Sequence, residues 1–165
     1  MELYFLRHAI AADPDSSKYR LDAERPLTGE GIEKMGRTAR GFKKAGITFH
    51  RIVSSPYLRA RHTAEITAKE LDFDGKIAYA DALKPEADFK NFSKLLQSFK
   101  DDEKVLLVGH QPSIGSFVSC LCAGRPDASI DFKKGALCRV DLYRTDPPAG
   151  ALKWFMPPKF AQKID

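Results

Sequence analysis

The sequence predicts a three-layer α/β/α sandwich built on a mostly parallel central sheet with an antiparallel edge, and three observations carry that reading. Short apolar runs at Leu3–Leu6, Ile52-Val53 and Val105–Val108 alternate with longer stretches of helical spacing. The run Val105-Leu106-Leu107-Val108 contains no polar residue, as a strand covered on both faces requires. After Cys138 the pattern changes to alternation: Cys138, Val140 and Leu142 against Arg139, Asp141 and Tyr143, the mark of a half-buried strand. At 165 residues, 43% hydrophobic and 30% charged, the chain reads as a single domain spanning 1–165 with an ordinary globular composition.

Taken in order, Leu3-Tyr4-Phe5-Leu6 forms the first strand and stops at Arg7-His8. A polar loop runs from Ala11 to Pro26, with Asp13-Pro14-Asp15-Ser16-Ser17 near its start. Loops of that length inside a compact domain are usually functional. Thr28 caps the next helix, whose apolar face is Ile32, Met35, Ala39 and Phe42 and whose stop is Gly46. Arg51–Ser54 is the second strand. Ser55-Pro56 reads as an N-cap followed by proline at the first helical position, so a helix is expected to start at once. Tyr57, Ala60, Ala64, Ala68 and Leu71 fall on one side of it.

Lys76–Tyr79 is a weak third strand, and 88–99 reads as a helix with Phe89, Phe92, Leu95, Leu96 and Phe99 in its stripe. The strand at Val105–Val108 breaks at Gly109-His110-Gln111-Pro112. A helix then carries Ile114, Phe117, Val118, Leu121 and Cys122 to a stop near Gly124. Ala151–Met156 adds a last strand before Pro157-Pro158.

Composition narrows the function classes. No apolar run is long enough to span a membrane and Met1–Leu6 is too short for a signal peptide, so a cytoplasmic protein with no membrane partner is expected. Lys and Arg number 27 against 22 for Asp and Glu, a net +5. These cations are scattered and no aromatic platform is interleaved with them, so nucleic acid is not the expected partner. Cys120, Cys122 and Cys138 are odd in number and lack a C-x-x-C pair; they are expected buried and reduced. His50 and His62 are expected at the surface.

Three strand ends carry polar residues suited to one task. The first ends at Arg7-His8, the second leads into a helix whose first turn holds Arg59, and the strongest ends at Gly109-His110. In a parallel sheet these ends share one edge, where open α/β sheets bind ligands. Two guanidiniums and two imidazoles around one crevice suit phosphoryl transfer, which needs cations on the equatorial oxygens and an in-line nucleophile. Neighbouring guanidiniums keep a His8 imidazole neutral and free to attack. Arg7 and His8 share the crevice only if the strand ends there, because successive strand residues face opposite ways. A metal held by His8 and His110 would lack a third ligand at recognisable spacing and would be repelled by the arginines, so no metal and no cofactor are expected. Gly29-Glu30-Gly31 lacks the preceding strand and the lysine of a nucleotide-binding loop.

These residues resemble the histidine phosphatase superfamily, with its phosphoglycerate mutase-like fold. The matching pieces are Leu6-Arg7-His8-Ala9, Arg25-Pro26-Leu27-Thr28 with Gly31, Ser54-Ser55-Pro56-Tyr57-Leu58-Arg59-Ala60 with Thr63, and Val108-Gly109-His110-Gln111-Pro112. Their order, the short chain and the Trp154–Pro158 ending are most similar to the small SixA-type phosphohistidine phosphatases. The resemblance implies that His8 is the nucleophile, that Arg7, Arg59 and His110 form the catalytic phosphate pocket, and that Arg25 adds a phosphate-binding arginine from the long loop. It also selects Arg59 over Arg61.

Two departures bear on substrate. Ala9 stands where the family commonly has glycine, and 83–88 lacks a convincing match to the motif that supplies an acid in larger members. Glu86 and Asp88 are the candidates for that acid, with Asp88 preferred as a helix cap. Losing a general acid costs an ester substrate roughly 10²- to 10⁴-fold, whereas an imidazole leaving group can be protonated before it departs. The expected partner is therefore a phosphorylated protein such as a histidine phosphotransfer domain. A small phosphorylated substrate, taken by a phosphomonoesterase of the same fold, is the alternative. A non-catalytic phosphate-recognition module is the third.

Overall fold

The computed structural model describes residues 1–15 and 17–165. Six strands form one sheet in the order β3-β2-β4-β1-β5-β6. They are β1 (Glu2–Arg7), β2 (Arg51–Ser54), β3 (Ile77–Tyr79), β4 (Lys104–Gly109), β5 (Leu137–Thr145) and β6 (Pro148–Met156). Strands β3, β2, β4 and β1 run parallel, while β5 pairs antiparallel with both β1 and β6. β4, the run without polar residues, lies between β1 and β2 near the middle of the sheet.

Each parallel strand divides its side chains between two cores. Leu3, Phe5, Val105 and Leu107 face helices α3 (Phe89–Leu96) and α4 (Ser113–Ala123), packing on Phe92, Leu96, Phe117 and Val118. Tyr4, Leu6, Leu106 and Val108 face α1 (Gly29–Lys44), α2 (Leu58–Glu70) and α5 (Pro158–Ile164), packing on Met35, Ala39, Ala60, Ala64 and Ala161. This is the expected three-layer α/β/α arrangement. The chain leaves β1 towards one face, to α1, and leaves β4 towards the other, to α4. The crevice between the ends of β1 and β4 is thus a topological switch point, where such sheets bind ligands.

Local chemistry sets most boundaries. Thr28 accepts from the Gly31 amide at 2.9 Å to cap α1, Asp88 accepts from the Asn91 amide at 2.7 Å to cap α3, and Gly124 ends α4 in the left-handed region at φ 70°. Four expectations need correction. α2 begins at Leu58 with Tyr57 as its N-cap, not directly after Ser55, whose hydroxyl meets both the Tyr57 amide and His110. Ile32, placed on the buried face of α1, is 49% exposed. Cys122 is exposed and Cys120 partly so; Cys138 alone is buried, and all three are free thiols. His62 is half-buried, whereas His50 is exposed as expected. The last helix, α5, was not expected: Pro158 at its first turn needs no amide partner there and serves as a start, not a stop. No helix among the described residues is long and apolar enough to cross a membrane.

Candidate active site

The β1–β4 ladder brings the two histidines together. Arg7 pairs with Gly109 in register, and the His8 amide donates to the Gly109 carbonyl at 3.0 Å. β1 ends at Arg7, which frees consecutive side chains from opposite-face alternation. The His8 and His110 rings lie 5.0 Å apart, centroid to centroid, tilted by 55°. Arg7 Nη1 donates to the Phe132 carbonyl at 2.5 Å, and the Gly135 amide donates to the Arg7 carbonyl, so the loop before β5 fixes Arg7 at both ends.

His8 has its two nitrogens in different roles. Nδ1 lies 2.7 Å from the Ala9 carbonyl oxygen, an acceptor only, so Nδ1 carries the proton and donates. Nε2 then keeps its lone pair, and Arg59 Nε donates to it at 3.3 Å. Burial disfavours the imidazolium here; the Ala9 carbonyl opposes that effect, and the charges of Arg59, Arg7 and Lys134 add to it. The result is a pKa pushed down to about 3, a neutral ring at physiological pH.

Arg59 is 4% exposed and held by a loop carboxylate absent from the sequence-based assignment. Its Nη1 donates to the Asp22 carbonyl at 2.8 Å and its Nη2 to Asp22 Oδ2 at 2.9 Å. The other carboxylate oxygen, Oδ1, accepts from Arg25 Nε at 2.7 Å, while Arg25 Nη1 donates to the Ala12 carbonyl at 2.6 Å. Asp22 therefore ties Arg25 to Arg59. Burial raises its carboxyl, but the bonds from Arg25 and Arg59 outweigh that and hold it below the ordinary carboxylate range. A guanidinium has five N–H donors. These contacts use three on Arg59, leaving a second hydrogen on each Nη.

The His110 side is equally built. Ser55 Oγ lies 2.8 Å from His110 Nε2 and also accepts from the Tyr57 amide at 3.3 Å, so it serves the imidazole where a cap was expected. Tyr57 lies edge-on to His110 at 5.3 Å and under the Arg59 guanidinium at 5.1 Å. Thr63 accepts from the Ala9 amide at 3.0 Å and donates to the Arg59 carbonyl at 2.7 Å, joining the segment after His8 to α2. Burial, reinforced by His8 and the arginines, pushes His110 down to about 2. Two buried nitrogens of this region, Arg7 Nε and His110 Nδ1, have no hydrogen-bond partner among the described residues.

The structure thus brings His8, Arg59 and His110 together, with Arg7 adjoining His8 at the end of β1 and Arg25 tied to Arg59 through Asp22. Neither acid candidate joins them through a recorded contact among the described residues. Asp88 spends both carboxylate oxygens on Asn91 as a helix cap, and Glu86 is exposed. Asp22, Ser55, Tyr57 and Thr63 complete the constellation. Asp22 lies three residues before Arg25, but the loop also holds Asp13, Asp15 and Glu24, and spacing alone does not single it out.

Comparison with known proteins identifies the family and the fold. The sequence profile of the histidine phosphatase superfamily (branch 1) matches residues 3–97. An uncharacterized protein of Picosynechococcus sp. is 36% identical over 140 residues, covering 83% of this chain and 82% of that protein. The phosphohistidine phosphatase SixA of Escherichia coli is 29% identical over 160 residues, covering 96% and 94%. A solved structure of the protein histidine phosphatase SixA complexed with tungstate superposes with a TM-score of 0.83 at 28% identity, covering 96% of this chain and 98% of that one. Two strand ends, an arginine-framed neutral histidine and a matched profile lead to one assignment: the chain, similar in sequence and fold to SixA, belongs to the histidine phosphatase superfamily.

Proposed function

We propose that residues 1–165 act as a single catalytic domain that removes phosphate from a protein histidine through a phospho-His8 intermediate, without a metal or cofactor. His8 Nε2 attacks phosphorus, and the bond to the substrate imidazole nitrogen breaks. The substrate ring takes a proton from solvent on its other nitrogen beforehand, so it departs as a neutral imidazole with the P–N bonding pair on the nitrogen it frees. Water then attacks phospho-His8, releasing inorganic phosphate and restoring the neutral ring. Arg7, Arg59, Arg25 and His110 hold the equatorial oxygens, whose charge they are placed to stabilise. The orphaned Arg7 Nε is a buried donor of the sort a phosphoryl group satisfies, and His110 Nδ1 is a second in the tautomer whose Nε2 accepts from the Ser55 hydroxyl.

The observation that carries the reading is the His8 ring itself: Nδ1 fixed on the Ala9 carbonyl, Nε2 unprotonated beside Arg59 Nε. Phosphohistidine is favoured over an ester because the candidate acids are a helix cap and an exposed side chain, and a nitrogen leaving group needs less help. The name of the Escherichia coli relative points the same way. Three free thiols suit a reducing compartment, in keeping with a cytoplasmic enzyme.

The test is rapid quenching with radiolabelled phosphohistidine protein. An acid-labile, alkali-stable phosphoenzyme should accumulate in the wild type and be absent from His8→Ala. A wild type that turns over without ever labelling His8 would refute covalent catalysis. Faster turnover of unactivated sugar phosphates than of phosphohistidine would move the substrate assignment to esters.

A further inference from the structure

Beside the catalytic crevice lies a cavity of about 480 Å³. Arg7 and Ala9, which flank His8 in the chain, form part of its wall, so it adjoins the segment that carries the nucleophile. Ile10, Met35 and Pro158 give it an apolar component. Its rim is cationic: Lys34 from α1, Lys133 and Lys134 from the loop before β5, and Lys159 from α5, all exposed. Three separate elements thus contribute lysines to one opening.

Local carboxylates neutralise this rim only in part. Lys34 pairs with Glu30 at 2.5 Å and Lys133 with Asp131 at 3.2 Å, both exposed pairs of little strength. Lys134 and Lys159 have no ion pair among the described residues, and the Lys134 charge is felt at the His8 ring. The cavity at the Arg25 loop differs: about 360 Å³, it is lined by Asp15 and Asp22 as well as Arg20 and Arg25, a mixed field with no preference for either sign. Positive charge is therefore in excess at the lysine-rimmed cavity and balanced at the Arg25 loop, so a polypeptide bound at this site meets an uneven field.

We propose that the lysine-rimmed cavity seats an acidic polypeptide segment flanking the phosphorylated residue, so that the enzyme selects acidic partner proteins. The inference rests on the phosphohistidine reading and narrows it to a class of partner. Carboxylates of the segment pair with Lys34, Lys134 and Lys159, and an apolar side chain fits against Met35 and Pro158. The complementarity acts on encounter and register more than on the chemical step.

The test uses two fluorescent peptides that carry a non-hydrolysable triazolyl-phosphonate analogue of phosphohistidine, one with Asp/Glu flanks and one with Ser/Gly flanks. Binding is followed by anisotropy for the wild type and for Lys34→Glu/Lys159→Glu, and turnover of phosphoimidazole is measured in parallel. The wild type should bind the acidic peptide about tenfold more tightly at low salt. That preference should fade at high ionic strength. The double variant should lose or invert it while phosphoimidazole turnover stays at the wild-type level, which also shows that the variant is folded. Equal affinity for both peptides, or a preference that survives in the double variant, overturns the proposal even if phosphoimidazole is hydrolysed. Acidic preference without any phosphoimidazole turnover supports the groove and sinks the enzymatic reading instead. Displacement of the acidic peptide by a short oligonucleotide at equal or lower concentration would make the rim a nucleic-acid surface and overturn the proposal.

Discussion

Asp22 grips Arg59 twice, once through its carboxylate at 2.9 Å and once through its own carbonyl at 2.8 Å, while its second carboxylate oxygen holds Arg25 at 2.7 Å. A long arginine side chain loses substantial rotamer entropy when fixed. Here the ordering is done by the loop, before any substrate arrives. Asp22→Ala should remove the carboxylate that links the two guanidiniums, leaving Arg59 only the backbone carbonyl at that position and its His8 contact, and Arg25 only the Ala12 carbonyl. It should lower kcat/KM by about 10- to 100-fold, as loss of reactant alignment does. Asp22→Asn keeps one acceptor and should retain more activity than the alanine. Steady-state kinetics on phosphoimidazole check both, and wild-type rates in Asp22→Ala would deny the loop a positioning role.

Ser55 poses a related question on the other histidine. Its hydroxyl is 2.8 Å from His110 Nε2, whose partner nitrogen already lacks a hydrogen bond. Ser55→Ala would leave the imidazole with no partner on either side. A buried polar group so abandoned costs about 1–3 kcal/mol. The midpoint of urea denaturation should fall accordingly, and activity should drop as His110 loses its fixed orientation. Unchanged stability together with unchanged kcat would show that the hydroxyl does not hold the ring.

The first turn of α1 sets the path of the segment after the nucleophile. A methyl group on Gly31 would lie 2.0 Å from the Ile10 carbonyl oxygen, which is backbone and has no rotamer with which to retreat. That same carbonyl accepts from the Thr28 amide at 3.0 Å. Gly31→Ala should therefore destabilise by about 1–3 kcal/mol through overpacking, and should disturb the Ala9–Ile10 segment and with it His8. Chemical denaturation and phosphoenzyme yield measure the two effects separately. A fully stable Gly31→Ala would mean that α1 shifts freely away from this segment.

Much of this architecture is legible in the residues because burial writes itself plainly into sequence. Leu3–Leu6 and Val105–Val108 are apolar without interruption, so the abrupt changes at Arg7-His8 and Gly109-His110 mark strand ends, and a parallel sheet must align those ends. Features settled by competition over one atom are not legible. Ser55 has the sequence of an N-cap, yet its oxygen goes to His110, which lies 55 residues away. Asp22 looks like any other carboxylate of a polar loop until the fold carries it against Arg59. Pro157-Pro158 reads equally well as an end or a beginning; the backbone contact between Ala161 and Gly41 of α1 shows where α5 packs.

The two histidines also make folding depend on pH with a definite sign. Burial holds His8 down to about 3 and His110 down to about 2, whereas an unfolded histidine titrates near about 6.5. Between those limits the unfolded chain takes up protons that the folded chain refuses. Stability is therefore full above about pH 6.5 and declines as pH falls, by about 1.4 kcal/mol per histidine per pH unit once well below that value. Urea denaturation between about pH 7 and pH 5.5 avoids most carboxylate titration and should show a loss of about 2–3 kcal/mol from the pair. His110→Gln removes one titrating ring and should roughly halve that loss, whatever its own effect on stability at neutral pH. A wild type equally stable at both ends of the window would mean that at least one ring accepts its proton in the folded state, and the neutral nucleophile would have to be reconsidered.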